Sequence, residues 1–278
     1  VVKEVLGPDA ESVALAWRFP GLASKDFEVL QVVSQVLYNG KAGLIDLDLN
    51  QQQKVLNSYG YPMGLADYSA FILGGLPKQG QTLEEVKDLL LNEIKKLRAG
   101  EFDEKMLQAN INNFKLYELQ SMESNEGRAD IFVNSFINGT NWKDEVTAID
   151  RMAKLTKEDI VAFADKYLKE DNYAVVYKKQ GKDPNEKKMT KPEITPIVSN
   201  RDVASPFLTS IQENAVRPIE PVFLDFKKDM SQLTAKSDIP VLYKQNTTND
   251  LFQLIYVFDM GNNCLLYTSP SPRDKRQS

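Results

Sequence analysis

The order of strand-like and helix-like runs in residues 1–180 constrains the fold of this chain most strongly. Ser12–Phe19 is partly β-branched and aromatic and stops at Pro20-Gly21, which indicates a strand that ends in a turn. Apolar residues then recur at three- and four-residue steps over Lys25–Asn39, after a capping Ser24. This spacing predicts a helix with one buried stripe. A strand and a helix that each have one apolar face bury those faces by packing in layers.

The same signals continue as far as Lys178. They predict a short helix over Gly43–Val55, a strand over Asp67–Leu76, and a helix from the capping box of Thr82 and Glu85 to Gly100. A long helical run follows from Asp103 to Ile137 and stops at Asn138-Gly139. Two further helices are predicted over Trp142–Met152 and Ile160–Leu168, the second opened by Thr156 and Asp159, and a strand over Tyr173–Lys178. This order predicts an α+β fold, with a sheet covered by helices mainly on one face.

A change in composition divides the chain into segments. One domain is predicted over 1–180, followed by a proline-rich extended linker over 181–221. The strand-like runs Val222–Phe226, Pro240–Lys244 and Leu251–Phe258 then predict the opening hairpin of a second α+β domain over 222–263, with a polar turn at 246–250. No helical pattern follows to cover this sheet, so we expect the second domain to be incomplete.

The residue types present exclude several classes of function. The sequence contains no histidine, which excludes Ser-His-Asp and Cys-His catalysis and histidine zinc sites made from this chain. The single cysteine, Cys264, allows neither an internal disulfide nor a cysteine metal cluster. A net charge of −5 argues against nucleic acid as a partner, and no apolar run is long enough to predict a membrane span.

Two groups of residues have the side chains or spacing of a functional site. Glu118, Glu123, Glu126 and Asp130 could act as acid and base or hold Ca²⁺, but a solvated charged face is the favoured interpretation. Gly74-Gly75 is interpreted as a strand end rather than a phosphate-binding turn.

The remaining features also have ordinary structural interpretations. Asn138-Gly139-Thr140 fits a glycosylation sequon but is interpreted as a helix stop. Trp17 is predicted in the core and Arg18 on the opposite strand face, with a contact from either of them or Tyr61 to an enclosed peptide as the alternative. The basic run 178–188 is interpreted as a solvated linker. No residue of this chain is therefore predicted to be catalytic, cofactor-binding or metal-ligating.

Several stretches, in this order, resemble the second domain of pitrilysin/insulinase-family zinc metallopeptidases. They are Leu15–Gly21 (L-A-W-R-F-P-G), Tyr59–Gly75 ending in S-A-F-I-L-G-G, Leu119–Arg128 (L-Q-S-M-E-S-N-E-G-R), and Leu155–Ile160 with Tyr167-Leu168. The stretches Ile239–Tyr243 and Asn249–Gly261 resemble the start of the third domain of that family. The resemblance covers about residues 1–263.

The resemblance implies two halves, each of two α/β domains, that close around a peptide. Zinc in that family sits in the first domain on an inverted H-x-x-E-H helix. Because this chain has no histidine, the resemblance implies an inactive internal fragment that contributes chamber wall and the linker between the halves, with zinc in a missing first domain. The alternative is a piece of a non-catalytic homologue that binds peptide or braces an active partner subunit. A bacterial parent would be expected in the periplasm or cell envelope.

The final residues depart from this pattern. Residues 264–278 (C-L-L-Y-T-S-P-S-P-R-D-K-R-Q-S) resemble translated sequencing-adapter readthrough at the end of a metagenomic reading frame. We therefore expect a non-native tail there.

Overall fold

A computed structural model describes residues 1–182, 190–196, 200 and 202–259 of the chain. The chain divides into two compact units, Val1–Pro192 and Glu193–Ser278. Predictions that concern residues 183–189, 197–199, 201 and 260–278, including Cys264 and the predicted tail, lie outside the described residues.

The first unit is built on a five-stranded sheet in the order β1-β5-β2-β4-β3. The strands are β1 (Val2–Gly7), β2 (Ser12–Pro20), β3 (Asn57–Met63), β4 (Tyr68–Leu76) and β5 (Tyr173–Gln180). β1 runs parallel to β5, and every other pair is antiparallel. The two edge strands, β1 and β3, are absent from the sequence-based prediction.

Within residues 1–182, seven helices and one π-helical segment accompany this sheet. They are α1 (Lys25–Leu37), the π-helical Asp46–Asn50, α2 (Leu83–Arg98), α3 (Lys105–Ser121), α4 (Asn125–Asn138), α5 (Trp142–Glu145), α6 (Ala148–Met152) and α7 (Lys157–Tyr167). The part of the chain that the structure describes contains no helix long and apolar enough to cross a membrane.

Alternate residues of β2 form the centre of the core. Val13, Leu15, Trp17 and Phe19 are each at most 1% exposed. They face α1, α2 and α7, and Phe19 lies against the rings of Phe163 and Tyr167 on α7. The predicted α+β class, with a sheet packed by helices, is confirmed.

The predicted helix starts at three positions are confirmed by their hydrogen bonds. Ser24 Oγ accepts the amide of Asp26, and Thr82 with Glu85 forms a complete capping box. Thr156 and Asp159 form a second complete capping box. These local signals can be recognised in the sequence because a cap depends only on residues two or three positions apart.

Other boundaries differ from the prediction. The long run Asp103–Ile137 is broken into α3 and α4 around Met122–Ser124, and Trp142–Met152 is two short helices. The predicted helix over 43–55 is a π-helical turn over Asp46–Asn50. Hydrophobic periodicity continues through such breaks, so it does not locate them.

The second unit contains α8 (Pro206–Glu213), β6 (Ser231–Thr234) and β7 (Pro240–Tyr243). The predicted extended linker 181–221 is therefore helical in part, since Ser205 caps a helix with Pro206 at its first position. The predicted strands 222–226 and 251–258 are not strands. β7 pairs instead with β6, and all residues of this hairpin are exposed.

Candidate functional site

The helices bury one face of the sheet and leave the other in contact with solvent. On β2, Val13, Leu15, Trp17 and Phe19 are buried, whereas the residues between them are half-buried or exposed. Register places the corresponding residues of the other strands on the same side. We call this side the open face; its strand positions include Lys3, Val5, Ala14, Ala16, Arg18, Tyr59, Tyr61, Met63, Tyr68, Ala70, Ile72, Gly74, Ala174, Val176 and Lys178.

Most side chains at the centre of the open face are small, with Ile72 the exception, and those at its β3 edge are large. Ala16 pairs with Ala174 on one side and with Ile72 on the other. On β3 the rings of Tyr59 and Tyr61 stack with centroids 6.1 Å apart. The ring of Tyr59 lies over Gly74, where an added Cβ would be 2.3 Å from its Cζ. The open face is therefore a shallow floor with an aromatic rim.

Arg18 projects from this floor with its guanidinium over an aromatic ring. Its Cζ lies 3.6 Å from the ring centroid of Tyr68, a diagonal neighbour on β4. Within residues 1–182, Arg98, Arg128 and Arg151 all donate to protein acceptors. Arg18 is the one arginine of that range without a hydrogen bond or ion pair, so its donors are available to a ligand.

The charge of the open face is of one sign. Lys3, Arg18 and Lys178 lie at its strand positions, and no aspartate or glutamate does. Of these cations, Lys178 is paired with Asp9 of the β1–β2 loop at 3.4 Å. A positive surface in a chain of net charge −5 favours an acidic ligand on this side.

The structure separates the three residues that the sequence had linked to a peptide chamber. Trp17 is 1% exposed, and its Nε1 donates to the carbonyl of Lys169 at 3.2 Å, so its core prediction is confirmed. Arg18 is exposed on the opposite face, as predicted. Tyr61 lies on the open face with 46% exposure. Tyr68, which supports Arg18, carried no signal in the sequence because the pairing depends on strand register.

The acidic residues of α3 and α4 are exposed, as predicted for a solvated face. Glu118, Glu126 and Asp130 all lie at exposed positions. Partial burial, with the charges of Asp150 and Glu145, raises the pKa of Glu118. Among the described residues, no three of His, Cys, Asp or Glu are grouped so that they could hold a metal ion.

The glycine-containing motifs have structural roles. Gly74 and Gly75 lie inside β4, in agreement with the strand interpretation. Gly139 has φ of 64° and caps the end of α4, which accounts for the Asn138-Gly139 stop. Of the basic run 178–188, the residues after 182 lie outside the described part of the chain.

A partly buried charge cluster, which the sequence analysis does not predict, joins α2 to the π-helical turn. Lys96 Nζ lies 2.5 Å from Asp48 Oδ2 and 2.9 Å from Glu93 Oε1. The Glu93 side chain is only 2% exposed. Burial raises its pKa despite the ammonium, whereas the hydrogen bond from Lys96 lowers the pKa of Asp48. The spacing of Glu93 and Lys96 is visible in the sequence, but the approach of Asp48 is tertiary.

Comparison with known proteins agrees with this architecture. Residues 1–114 match the Peptidase M16 inactive domain family. The zinc protease PqqE of Helicobacter pylori is 27% identical over 178 residues, which are 62% of this chain and 39% of that protein. The chain thus spans about two fifths of the length of that relative.

Two solved structures share the fold. A protease from Helicobacter pylori superposes with a TM-score of 0.60 at 22% identity, covering 64% of this chain and 43% of that one. The peptidase M16 inactive domain from Pseudomonas fluorescens gives 0.57 at 13% identity, covering 67% and 45%. The sequence match over 1–114 and the helix-packed sheet thus confirm the resemblance of this chain to the pitrilysin/insulinase (M16) peptidases.

Proposed function

We propose that this chain is a non-catalytic, substrate-facing part of a zinc-dependent endopeptidase. The observation that carries the proposal is the open face, which keeps exposed aromatic and apolar side chains on an otherwise well-packed sheet. Tyr61, Met63 and Tyr68 are 46%, 41% and 55% exposed. Exposed, contiguous apolar and aromatic surface is typical of a binding surface.

The residues of this chain do not fit the zinc site of the family. The sequence has no histidine and one cysteine, and the described residues contain no suitable group of acidic ligands. We therefore assign no step of hydrolysis to this chain. Its proposed contribution is to hold an extended peptide on the open face while the metal and its water are supplied elsewhere.

The sheet is suited to such a role for a physical reason. Strand side chains project at right angles to a rigid, hydrogen-bonded surface, and a tyrosine has only two side-chain torsions, so Tyr59 and Tyr61 can pack on a ligand at little entropic cost. The floor beside them is low because Ala16, Ala70 and Ala174 carry only methyl groups. A peptide lying there would bury apolar area against the floor and the aromatic rim.

Site-specific photocrosslinking tests the proposal. p-Benzoylphenylalanine replaces Tyr61 on the open face or, as a matched control, Tyr117 on α3, which is 61% exposed. The probe is β-casein, an unfolded polypeptide labelled with fluorescein. We expect crosslinks from position 61 and few from position 117. Equal yields from both positions would contradict the proposal.

The coding sequence distinguishes the two forms of this proposal, a part of a catalytic parent and a part of a non-catalytic partner subunit. An H-x-x-E-H motif encoded on the 5′ side of the Val1 codon would support the catalytic parent. A complete homologous domain without that motif would instead support a non-catalytic partner subunit. Crosslinking at position 61 is expected in either case, so the two experiments answer different questions.

A further inference from the structure

We propose that Arg18, held over Tyr68, binds a carboxylate side chain of the peptide and so selects acidic peptides. This inference rests on the proposed function only for the placement of peptide on the open face. The ligand is an aspartate or glutamate side chain with an apolar residue two or three positions away.

The first support is the position of the guanidinium. Its Cζ lies over the Tyr68 ring, 3.6 Å from the centroid, a distance that suits a guanidinium lying flat on the ring. The N–H donors of a guanidinium lie in its plane and at its edge, where a stacked ring does not block them. Stacking therefore fixes the group while leaving its edge open to a bidentate carboxylate.

The second support is the absence of an internal acceptor. In residues 1–182 the guanidinium of Arg151 is paired with Glu28 and that of Arg98 with Asp165. Arg18 has no such partner in that range, and the strand positions of the open face include no carboxylate. A ligand carboxylate would therefore not have to displace an existing ion pair.

The third support is the apolar surface beside Arg18. Arg18, Ala70 and Met63 occupy one row across β2, β4 and β3. Adjacent strands are about 4.8 Å apart, so Met63 is about 10 Å from Arg18, and an extended chain covers that distance in about three residues. An acidic side chain on Arg18 thus places an apolar neighbour against Met63 or Tyr61.

Fluorescence anisotropy with two matched peptides tests the inference. The peptides are fluorescein-labelled, amidated ten-residue chains with Phe three positions after either Glu or Gln. We expect the Glu peptide to bind the wild-type chain about three- to tenfold more tightly. Arg18→Gln should remove this difference, and Arg18→Lys should keep only part of it because an ammonium does not form the bidentate pair. Lys115→Gln, an exposed change on α3, should leave the difference intact.

The results separate failure of this inference from failure of the proposed function. If both peptides bind equally to the wild type, or Arg18→Gln keeps the preference, the role of Arg18 is wrong while peptide binding stands. If neither peptide binds, the proposed function fails as well. A Gln peptide with a free C-terminal carboxylate that binds as tightly as the amidated Glu peptide would assign Arg18 to the chain end, which overturns the side-chain assignment.

Discussion

Glu28 of α1 and Arg151 of α6 form a two-point ion pair across 123 residues of sequence. Arg151 Nε donates to Glu28 Oε2 at 2.9 Å and Nη2 to Oε1 at 2.5 Å. The guanidinium also donates to the carbonyl of Asp144 at 2.6 Å. Their side chains are 19% and 25% exposed, so water competes with the pair only in part. This contact links the short helices α5 and α6 to α1.

We predict that Arg151→Ala lowers the free energy of unfolding by about 1–3 kcal/mol, since it leaves Glu28 without its donors. Arg151→Lys should recover part of the loss, because a single ammonium keeps one of the two bonds. Urea denaturation measures both. Lys179→Ala is the matched control, since its pair with Glu4 is well exposed. A loss in the control equal to that of Arg151→Ala would contradict the prediction.

The stability of the Asp48–Lys96–Glu93 cluster should change with pH in two opposite directions. Glu93 has a folded-state pKa above its ordinary value of 4.5, so its contribution is full below pH 4.5 and is lost as the pH rises through the folded pKa. Asp48 has a folded-state pKa below 3.8, so its contribution is present above pH 3.8 and is lost as the pH falls.

We therefore expect Glu93→Gln to be no less stable than the wild type at about pH 7.5, with a gain of up to about 1 kcal/mol. This gain should shrink toward about pH 4, where the wild-type carboxyl becomes protonated. Asp48→Asn should show the reverse, with a lower free energy of unfolding than the wild type at neutral pH and a smaller difference at acidic pH. Urea midpoints across this range measure both slopes, and parallel pH profiles for the two variants would refute the assignment.

The elements that local signals define were predictable, and those that tertiary contacts define were not. The capping box of Thr82 and Glu85 lies within four residues and was found. β1 was missed because its residues are exposed for most of its length and lack an apolar alternation. β3 contains Gly60 and Pro62, which weaken a strand signal. The proline is tolerated in this strand because β3 lies at the edge of the sheet.

The residues of the candidate site also divide into those that local signals predict and those that depend on tertiary contacts. Alternation along β2 correctly placed Trp17 and Arg18 on opposite faces. The stacking of Arg18 on Tyr68 depends on the register of β2 with β4, which no local pattern specifies. From the sequence alone, a peptide contact on this face is therefore only an alternative interpretation, because the pairing of the strands is needed to define the surface.

Two adjacent glycines of β4 provide a matched test of the two sheet faces. A Cβ on Gly75 would lie 2.4 Å from Val86 Cγ1 on the helix side, where the core cannot move away. A Cβ on Gly74 would lie 2.3 Å from the ring of Tyr59, which borders solvent and can rotate. We expect Gly75→Ala to cost about 1–3 kcal/mol in unfolding free energy and Gly74→Ala clearly less. The reverse order would show that the open face is packed.

The hairpin of β6 and β7 should exchange its amide hydrogens quickly. Every residue of the two strands is exposed, whereas alternate residues of β2 are buried under helices. A two-stranded hairpin without a covering layer is marginally stable. Hydrogen-exchange mass spectrometry should show peptides from 231–243 exchanging at least about a hundredfold faster than those from 12–20. Comparable protection would mean that the hairpin face is covered.

The break between α3 and α4 depends on Gly127, whose replacement gives the sharpest test of this boundary. The Ser124 hydroxyl caps α4 by accepting the Gly127 amide at 2.9 Å, and an added Cβ on Gly127 would lie 1.9 Å from the carbonyl oxygen of Ser121. Only glycine therefore lets the end of α3 approach the first turn of α4 this closely.

Alanine favours a helix by about 1 kcal/mol over glycine, so propensity alone predicts that Gly127→Ala is stabilising. The clash with a backbone oxygen outweighs this gain, and we expect a net loss of about 1–3 kcal/mol in urea denaturation. Asn134→Ala, at an exposed position of the same helix, should be neutral or slightly stabilising. A stabilised Gly127→Ala variant would mean that α3 and α4 join into the single helix that the periodicity of 103–137 predicts.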